Sequence, residues 1–87
     1  MEVEFLRAFE KDLTRSNAAM RKKVLQLINK LESMDGLDGL PQARRLSGHK
    51  DAYRIRIGDH RLGCFVSGEK VLFARLLHRK EVYRFFP

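Results

Sequence analysis

The sequence predicts an α+β fold in which two N-terminal helices pack on one face of an antiparallel sheet. Apolar residues recur at helical spacing in the first half of the chain, whereas from Ala43 onward they alternate with polar residues at the two-residue period of strands. Glycine-containing turns divide the second half into short segments, as in a meander of hairpins. Helices followed by consecutive strands are typical of this class, and the 87 residues are expected to form one domain spanning 1–87.

The first forty residues are predicted to contain one short strand and two helices. Residues 3–5 alternate in polarity like a strand, and residues 9–13 form one or two turns of helix. Ser16 and Asn17 are both good N-caps for a longer helix of about five turns. Its apolar positions are Met20, Val24, Leu27, Ile28, Leu31 and Met34. Its basic residues are interpreted as a solvated surface: Arg21, Lys22, Lys23 and Lys30. Residues 35–41 then form a loop.

Three strands and two tight turns are predicted to follow. The inward-facing residues of the first two strands are Tyr53, Ile55 and Ile57, and then Leu62, Cys64 and Val66. Residues 58–59 form the turn between these strands, and residues 67–70 form the next turn. The third strand, residues 71–77, is apolar on both faces and is therefore expected to be central or covered. Residues 81–87 form a short terminal helix or an irregular tail.

Arginines occupy the outer face of the predicted hairpin. The turn sets Arg56 directly opposite Arg61, while Arg54 extends the row and Gly63 leaves room beside it. Like charges that face each other across strands are destabilising, and an anion between them would relieve the repulsion. Since the guanidinium group presents a planar fork of donors that fits phosphate, the pattern predicts binding of a phosphodiester backbone. A solvated basic face and an acidic protein partner are the alternatives.

Charge and composition indicate the class of partner and argue against several kinds of site. Residues 42–87 hold eleven Lys/Arg against four Asp/Glu, whereas residues 1–41 hold seven of each, so the formal charge of +7 points to a polyanionic partner of the second half. Dispersed carboxylates and histidines without ligand spacing argue against magnesium and zinc sites, and no cofactor is expected. The lone Cys64 excludes an internal disulfide and is interpreted as a core residue. With neither a membrane-length apolar run nor a signal-peptide pattern, a cytoplasmic protein is expected.

Two motifs resemble those of a known family. Residues 46–61, LSGHKDAYRIRIGDHR, resemble the signature of the RelE/ParE toxins of type II toxin–antitoxin systems, and residues 78–83, HRKEVY, resemble their C-terminal motif. The resemblance implies the RelE-like microbial ribonuclease-type toxin fold. It also implies a ribosome-dependent endoribonuclease that cuts messenger RNA in the ribosomal A site without a metal and so inhibits translation. In that reaction the ribose 2′-hydroxyl attacks its own 3′ phosphate, leaving a cyclic phosphate and a free 5′-hydroxyl.

The resemblance also assigns roles to individual residues. The catalytic residues it implies are Arg54, Arg56, Arg61, Arg79 and Tyr83. Residues expected to contact RNA are Arg44, Arg45, Lys50, Arg75, His78 and Arg84. A helical segment would bring Arg79 and Tyr83 together, because they are four residues apart. Where other family members have a lysine pair this chain has arginines, which do not readily release a proton, so the general base is unassigned. His78 and His60 are the two candidates for the general base.

The resemblance further implies two partners, the ribosome and a cognate antitoxin that would form a hetero-oligomer with the toxin. The antitoxin is expected to be an acidic or amphipathic segment that covers basic or apolar surface, such as the end of the chain at Phe85 and Phe86. Two other functions stay open. One is a ParE-like toxin that poisons DNA gyrase, and the other is a degenerate toxin that only binds its antitoxin.

Overall fold

The computed structural model describes all 87 residues and contains one five-stranded sheet in the order β1-β5-β4-β3-β2. Along the chain the elements are β1 (Glu2–Phe5), α1 (Arg7–Arg15), α2 (Ala18–Glu32), β2 (Ala43–Arg45), β3 (Ala52–Ile57), β4 (His60–Ser67), β5 (Lys70–His78) and α3 (Val82–Phe85). β1 runs parallel to β5, and the other neighbouring strands are antiparallel. The predicted α+β class is therefore confirmed. None of the three helices has the length and apolar character that crossing a bilayer requires.

The main core lies between one face of the sheet and the helices α1 and α2. Phe9 of α1 is buried and contacts Phe73 of β5 edge to face, with the ring centroids 5.3 Å apart. α2 contributes Met20, Val24, Leu27 and Leu31, and the strands contribute Ile55, Ile57, Leu62, Cys64, Val71 and Phe73. The apolar side of the helices and the apolar face of the strands, each predicted from its own period, thus pack against each other in one core.

The ends of α2 follow its local sequence. Asn17 is the N-cap, and its side chain accepts a hydrogen bond of 2.8 Å from the backbone N–H of Met20, as predicted. The helix ends at Glu32, two residues before the last apolar position of the pattern, while Met34 still packs against the core from the following turn. The loop after α2 is anchored by Leu37 and Leu40, which are both buried.

β5 contains an irregularity that explains its apolar sequence. Its partners on β4 shift between Gly63 and Cys64, so Ala74 is an extra residue between paired positions. The extra residue moves Leu76 onto the helix side, where it joins the main core, and Leu77 onto the opposite side. The prediction that this strand is central or covered is correct, because β5 lies between β1 and β4.

The opposite face of the sheet has a smaller core under the C-terminal segment. Val82 and Phe86 are buried there against Ala52, Ala74 and Leu77. The ring of Phe86 lies on Gly63, where an added Cβ would be 2.6 Å from the ring atoms Cδ1 and Cδ2. The prediction that Gly63 leaves room beside the arginine row is wrong, because Phe86 fills that space.

The sequence prediction missed one strand and one pairing. β2 is a three-residue edge strand that pairs with β3, in a stretch too short to show its own periodicity. β1 is the other edge strand and pairs in parallel with β5. The two helices and three strands lie between β1 and β5 in the sequence, so no local pattern indicates this pairing. The backbone N–H of Leu6 donates to the carbonyl of Phe73 at 2.9 Å, so this pairing also sets where α1 begins.

Candidate active site

A basic cleft of about 450 Å³ opens on the sheet face opposite α1 and α2. It is lined by Pro41, Gln42, Arg44, Arg45, Leu46, Arg54, Arg56, Arg61 and Tyr83. Five of these residues are arginines and none carries a carboxylate. The molecule contains four ion pairs, and no cleft arginine takes part in any of them. The cleft therefore concentrates positive charge that the protein itself does not neutralise.

The strand register aligns the arginines in facing pairs. Arg56 lies opposite Arg61 across β3 and β4, as the sequence predicts, and Arg44 lies opposite Arg54 across β2 and β3. Two successive like-charge pairs are thus placed on one surface, although each such pair is destabilising. An anion held between the strands would remove that repulsion and bind several guanidinium groups at once.

Arg54 is held at the centre of the cleft by an aromatic ring. Its Cζ atom lies 4.2 Å from the centroid of the Tyr83 ring, which is the geometry of a cation–π contact. The Nε atom of Arg54 is buried and has no hydrogen-bond partner in the protein. Because a buried donor without an acceptor is unfavourable, this N–H lowers the stability of the free toxin, while the half-buried side chain still lines the cleft.

Arg61 is oriented by the backbone of the hairpin turn. One guanidinium nitrogen, Nη1, donates to the carbonyls of Gly58 and His60 at 3.2 and 2.8 Å. Gly58 has a positive φ of 63°, as the first central residue of a type II′ hairpin turn requires. The remaining N–H groups of Arg61 carry no intramolecular hydrogen bond and can bind an anion.

Arg75 lies outside the cleft and is bound to α1. Its guanidinium donates to both carboxylate oxygens of Asp12, at 2.7 and 3.1 Å, and Asp12 also accepts from the backbone N–H of Leu76. The hydrogen bond to Asp12 raises the pKa of Arg75. These bonds join residues 63 and 64 positions apart in the sequence, so they stabilise the packing of α1 on β5. We therefore leave Arg75 out of the proposed RNA contacts.

The two histidines weighed as general base lie on the other side of the sheet from the arginines. His60 is opposite Ile57 and His78 is opposite His60, so both share the helix-side face. Asp59 contacts both rings, with its Oδ1 2.7 Å from His60 Nδ1 and its Oδ2 3.8 Å from His78 Nε2. The hydrogen bond with His60 lowers the pKa of Asp59, and the charges of both histidines add to this effect. Neither histidine lines the cleft.

Three other predicted site residues, the catalytic candidate Arg79 and the RNA contacts Lys50 and Arg84, do not line the cleft. Arg79 is exposed in the turn of residues 79–81, and because α3 begins only at Val82 the helical spacing expected between Arg79 and Tyr83 is not formed. Lys50 lines a shallow neighbouring depression that shares Arg45 with the cleft. Arg84 is exposed on α3, with its Cζ 5.7 Å from the ring centroid of Phe85.

One polar residue of the cleft was not singled out from the sequence. Gln42 lines the cleft just before β2, and its carbonyl accepts the backbone N–H of Arg56 at 3.0 Å. It lies in a stretch with no periodic pattern, so only the pairing of β2 with β3 reveals its position.

Comparison with known proteins identifies the family. Residues 3–83 match the family described as the ParE toxin of the type II toxin–antitoxin system, parDE. The chain is also 35% identical over 88 residues to Toxin RelE3 of Methanocaldococcus jannaschii, with both chains covered completely. The chain belongs to the RelE/ParE superfamily of toxins. It is a type II toxin–antitoxin toxin of the RelE family, as the two sequence motifs predicted.

Solved structures agree with this assignment of the RelE/ParE toxin. The RelB–RelE antitoxin–toxin complex from Methanococcus jannaschii superposes with a TM-score of 0.82 at 32% identity, covering 97% of this chain and 99% of that one. The archaeal RelE–RelB complex from Pyrococcus horikoshii OT3 gives a TM-score of 0.73 at 23% identity over 90% and 93% of the chains. The second similarity shows the shared fold.

Proposed function

We propose that this RelE-family toxin is a ribosome-dependent endoribonuclease that cuts messenger RNA in the ribosomal A site and thereby inhibits translation. The observation that carries the proposal is the carboxylate-free cleft, in which arginines from three adjacent strands face one another beside Tyr83. Translation takes place in the cytoplasm, so the toxin would act there. No cofactor enters the proposal.

The arginines suit the transition state of transesterification. Attack of the ribose 2′-hydroxyl on the adjacent phosphate places extra negative charge on the phosphorane oxygens, while the 5′ oxygen leaves. Arg61 has free donors for these oxygens, and Arg54 lines the same cleft. In other enzymes a single preorganised donor of this kind lowers the barrier by about 3–4 kcal/mol. A lining that offers no carboxylate suits charge stabilisation by guanidinium groups and gives a divalent cation no anionic ligand.

Only one side chain of the cleft lining is suited to proton transfer in the proposed reaction. Guanidinium groups keep their protons throughout the working pH range, and both candidate histidines lie on the other sheet face. Tyr83 is the remaining ionisable residue of the lining, and 77% of its surface is exposed at the mouth of the cleft. In the proposed reaction Tyr83 orients the substrate and exchanges a proton with it.

We also propose that the toxin forms a hetero-oligomer with a cognate antitoxin. The relatives from Methanococcus jannaschii and Pyrococcus horikoshii OT3 are RelE proteins in complex with RelB. On this chain Tyr83, which lines the cleft, and Phe85, on the same short helix, are both exposed, with 77% and 49% of their surfaces accessible. An acidic, amphipathic antitoxin segment would cover such a mixed surface and block access of RNA to the arginines.

Poisoning of DNA gyrase is the second candidate function, because the matching family is described by the ParE toxin. One experiment separates the two functions. Purified toxin is added to translating ribosomes, the 5′ ends of the message are mapped, and gyrase–DNA complexes are assayed in parallel. We expect cuts at A-site codons and no trapped gyrase–DNA complexes. An intact message accompanied by trapped gyrase–DNA complexes would establish the alternative, and a toxin inactive in both assays would match the degenerate form.

A further inference from the structure

A second basic groove continues the cleft toward α2. It has a volume of about 330 Å³ and is lined by Lys23, Gln26, Leu27, Lys30, Gln42, Arg56, Ile57 and Gly58. Gln42 and Arg56 line both the cleft and this groove, so the two cavities adjoin at these residues. The α2 groove, as we call it, therefore begins where the facing arginines end and runs to the exposed side of the helix.

The α2 groove has the same electrostatic character as the cleft. Its lining includes three cations and no carboxylate, and neither Lys23 nor Lys30 takes part in any of the four ion pairs. The Nζ atom of Lys23 reaches the β3–β4 turn, where it lies 3.4 Å from the position of a Cβ added to Gly58. The amino group of Lys23 is thus directed toward the sheet, and Lys30 lines the same groove.

This arrangement changes the interpretation of the basic residues of α2. The sequence alone predicts four solvated cations, but only Lys23 and Lys30 line the groove, seven positions or two helical turns apart on one side of α2. Arg21 instead donates to the carbonyl of Ser16, and Lys22 lines neither cavity. Two of the four cations therefore converge with Arg56, while the other two lie elsewhere.

The chemistry of the groove favours a nucleic-acid backbone over a protein segment. Its apolar lining residues, Leu27 and Ile57, are 7% and 8% exposed, so they offer little surface to an aromatic or aliphatic anchor. Protein interfaces depend on such buried anchors at their centre. Separate cations flanked by amide side chains suit successive phosphates and polar atoms of a single strand.

We propose that the α2 groove binds the phosphodiester backbone of single-stranded RNA adjoining the linkage held in the cleft, with Lys23 and Lys30 as its phosphate contacts. This inference rests on the proposed function for the nature of the strand. It adds to that function a binding track that leads from the facing arginines, through Gln42 and Arg56, onto α2.

The test measures binding of a fluorescein-labelled single-stranded nonanucleotide whose riboses are 2′-O-methylated, so that it cannot be cut. The variant Lys23→Ala/Lys30→Ala is compared with Lys11→Ala/Arg15→Ala, which removes the same charge from exposed positions of α1. Loss of two phosphate contacts should weaken binding about tenfold or more at low salt and reduce the slope of log affinity against log salt by about 1.4. The α1 variant should stay within about twofold of wild type, because its cations lie on neither cavity.

The outcomes separate this inference from the proposed function. If the α2 and α1 variants bind the RNA equally, the track is overturned, and an acidic protein segment becomes the better occupant. If Arg61→Ala then still weakens RNA binding, the cleft keeps its proposed role. Wild-type toxin that does not bind the RNA even at low salt would contradict the substrate class itself. Thermal melting confirms that each variant is folded, and Lys23→Gln/Lys30→Gln replaces the alanine pair if that pair melts early.

Discussion

Contacts, more than residue type, determine what each arginine of this toxin can do. Arg54 stacks on Tyr83 and lines the cleft without an ion-pair partner, so it is held in place yet still able to bind an anion. Arg75 lies two strands away in the same cross-strand row but is bound bidentately by Asp12. The first arrangement preorganises a donor for a ligand, whereas the second uses the same chemical group to attach a helix.

Tyr83 provides the sharpest prediction at the residue level. Tyr83→Phe keeps the ring that supports Arg54 and removes only the hydroxyl, which makes no intramolecular hydrogen bond. We expect RNA cleavage on ribosomes to fall by about a hundredfold or more, the range attributed to positioned proton transfer. The free energy of unfolding should change by less than about 0.5 kcal/mol, because the side chain is exposed. Cleavage kinetics and urea denaturation measure the two effects.

Arg61→Ala and Arg15→Ala serve as the comparison pair for that experiment. Arg61 lies in the cleft and Arg15 is exposed on α1, so only the former should reduce cleavage, by about a hundredfold to a thousandfold. A loss of stability of several kcal/mol in Tyr83→Phe, or normal cleavage in both Tyr83→Phe and Arg61→Ala, would contradict the roles proposed for these side chains.

At the level of elements, the position of Tyr83 depends on a very short helix. α3 has four residues, too few to be stable without tertiary contacts. Its first residue, Val82, and the residue that follows it, Phe86, supply those contacts, because they are 1% and 3% exposed and fill the small core on the cleft side of the sheet. Anchors on both sides of Tyr83 therefore fix its ring over Arg54.

A double-mutant cycle between Gly63 and Phe86 tests this anchoring. A methyl group at Gly63 would overlap the Phe86 ring, so Gly63→Ala should destabilise the toxin by about 1–3 kcal/mol. In a Phe86→Ala background the same change should have almost no effect, which gives an interaction energy of about 1 kcal/mol or more. Gly63→Ala should also slow RNA cleavage, because the displaced segment carries Tyr83. Urea denaturation of the four proteins provides the cycle.

Gly36→Ala is the matched control, since a Cβ at Gly36 has no atom within 4 Å and its backbone requires no positive φ. It should leave both stability and cleavage close to wild type. If the destabilisation by Gly63→Ala and that by Phe86→Ala are additive, the packing of the Phe86 ring does not require a glycine at position 63. In that case this contact does not hold α3 and Tyr83 in place.

Elements defined by neighbouring residues were the ones the sequence could predict. The alternation of β3 and β4 about the turn at Gly58 is local, and it correctly predicted Arg56 opposite Arg61. The seating of Phe86 on Gly63 and the bond from Arg75 to Asp12 join distant parts of the chain, and no local period encodes them. For the same reason Gly63 was expected to leave open space, and the parallel pairing of β1 with β5 was missed.

In the whole molecule, the residues that stabilise the fold and the residues of the proposed active site lie on opposite faces of the sheet. Its helix side holds the main core, where Cys64, Phe73 and Val24 are fully buried. Its other side holds the facing arginines and the short C-terminal segment. Repulsion within the cleft lowers the stability of the free toxin, and binding of RNA or of an acidic antitoxin would add to stability through mass action. The apolar layer beneath must therefore hold the arginines in register without help from a ligand.

Because Cys64 is buried in that layer, the stability of the whole molecule should fall at alkaline pH. Burial raises the pKa of this thiol from 9.0 to about 12, so the folded state keeps the proton while the unfolded chain releases it above pH 9. Stability from this group is thus complete below pH 9 and is lost as the pH rises toward 12. Between pH 7.5 and 10, wild type should lose about 1 kcal/mol more of unfolding free energy than Cys64→Ala, as measured by urea denaturation. Parallel pH profiles for the two proteins would show that the thiol is not sealed within the core.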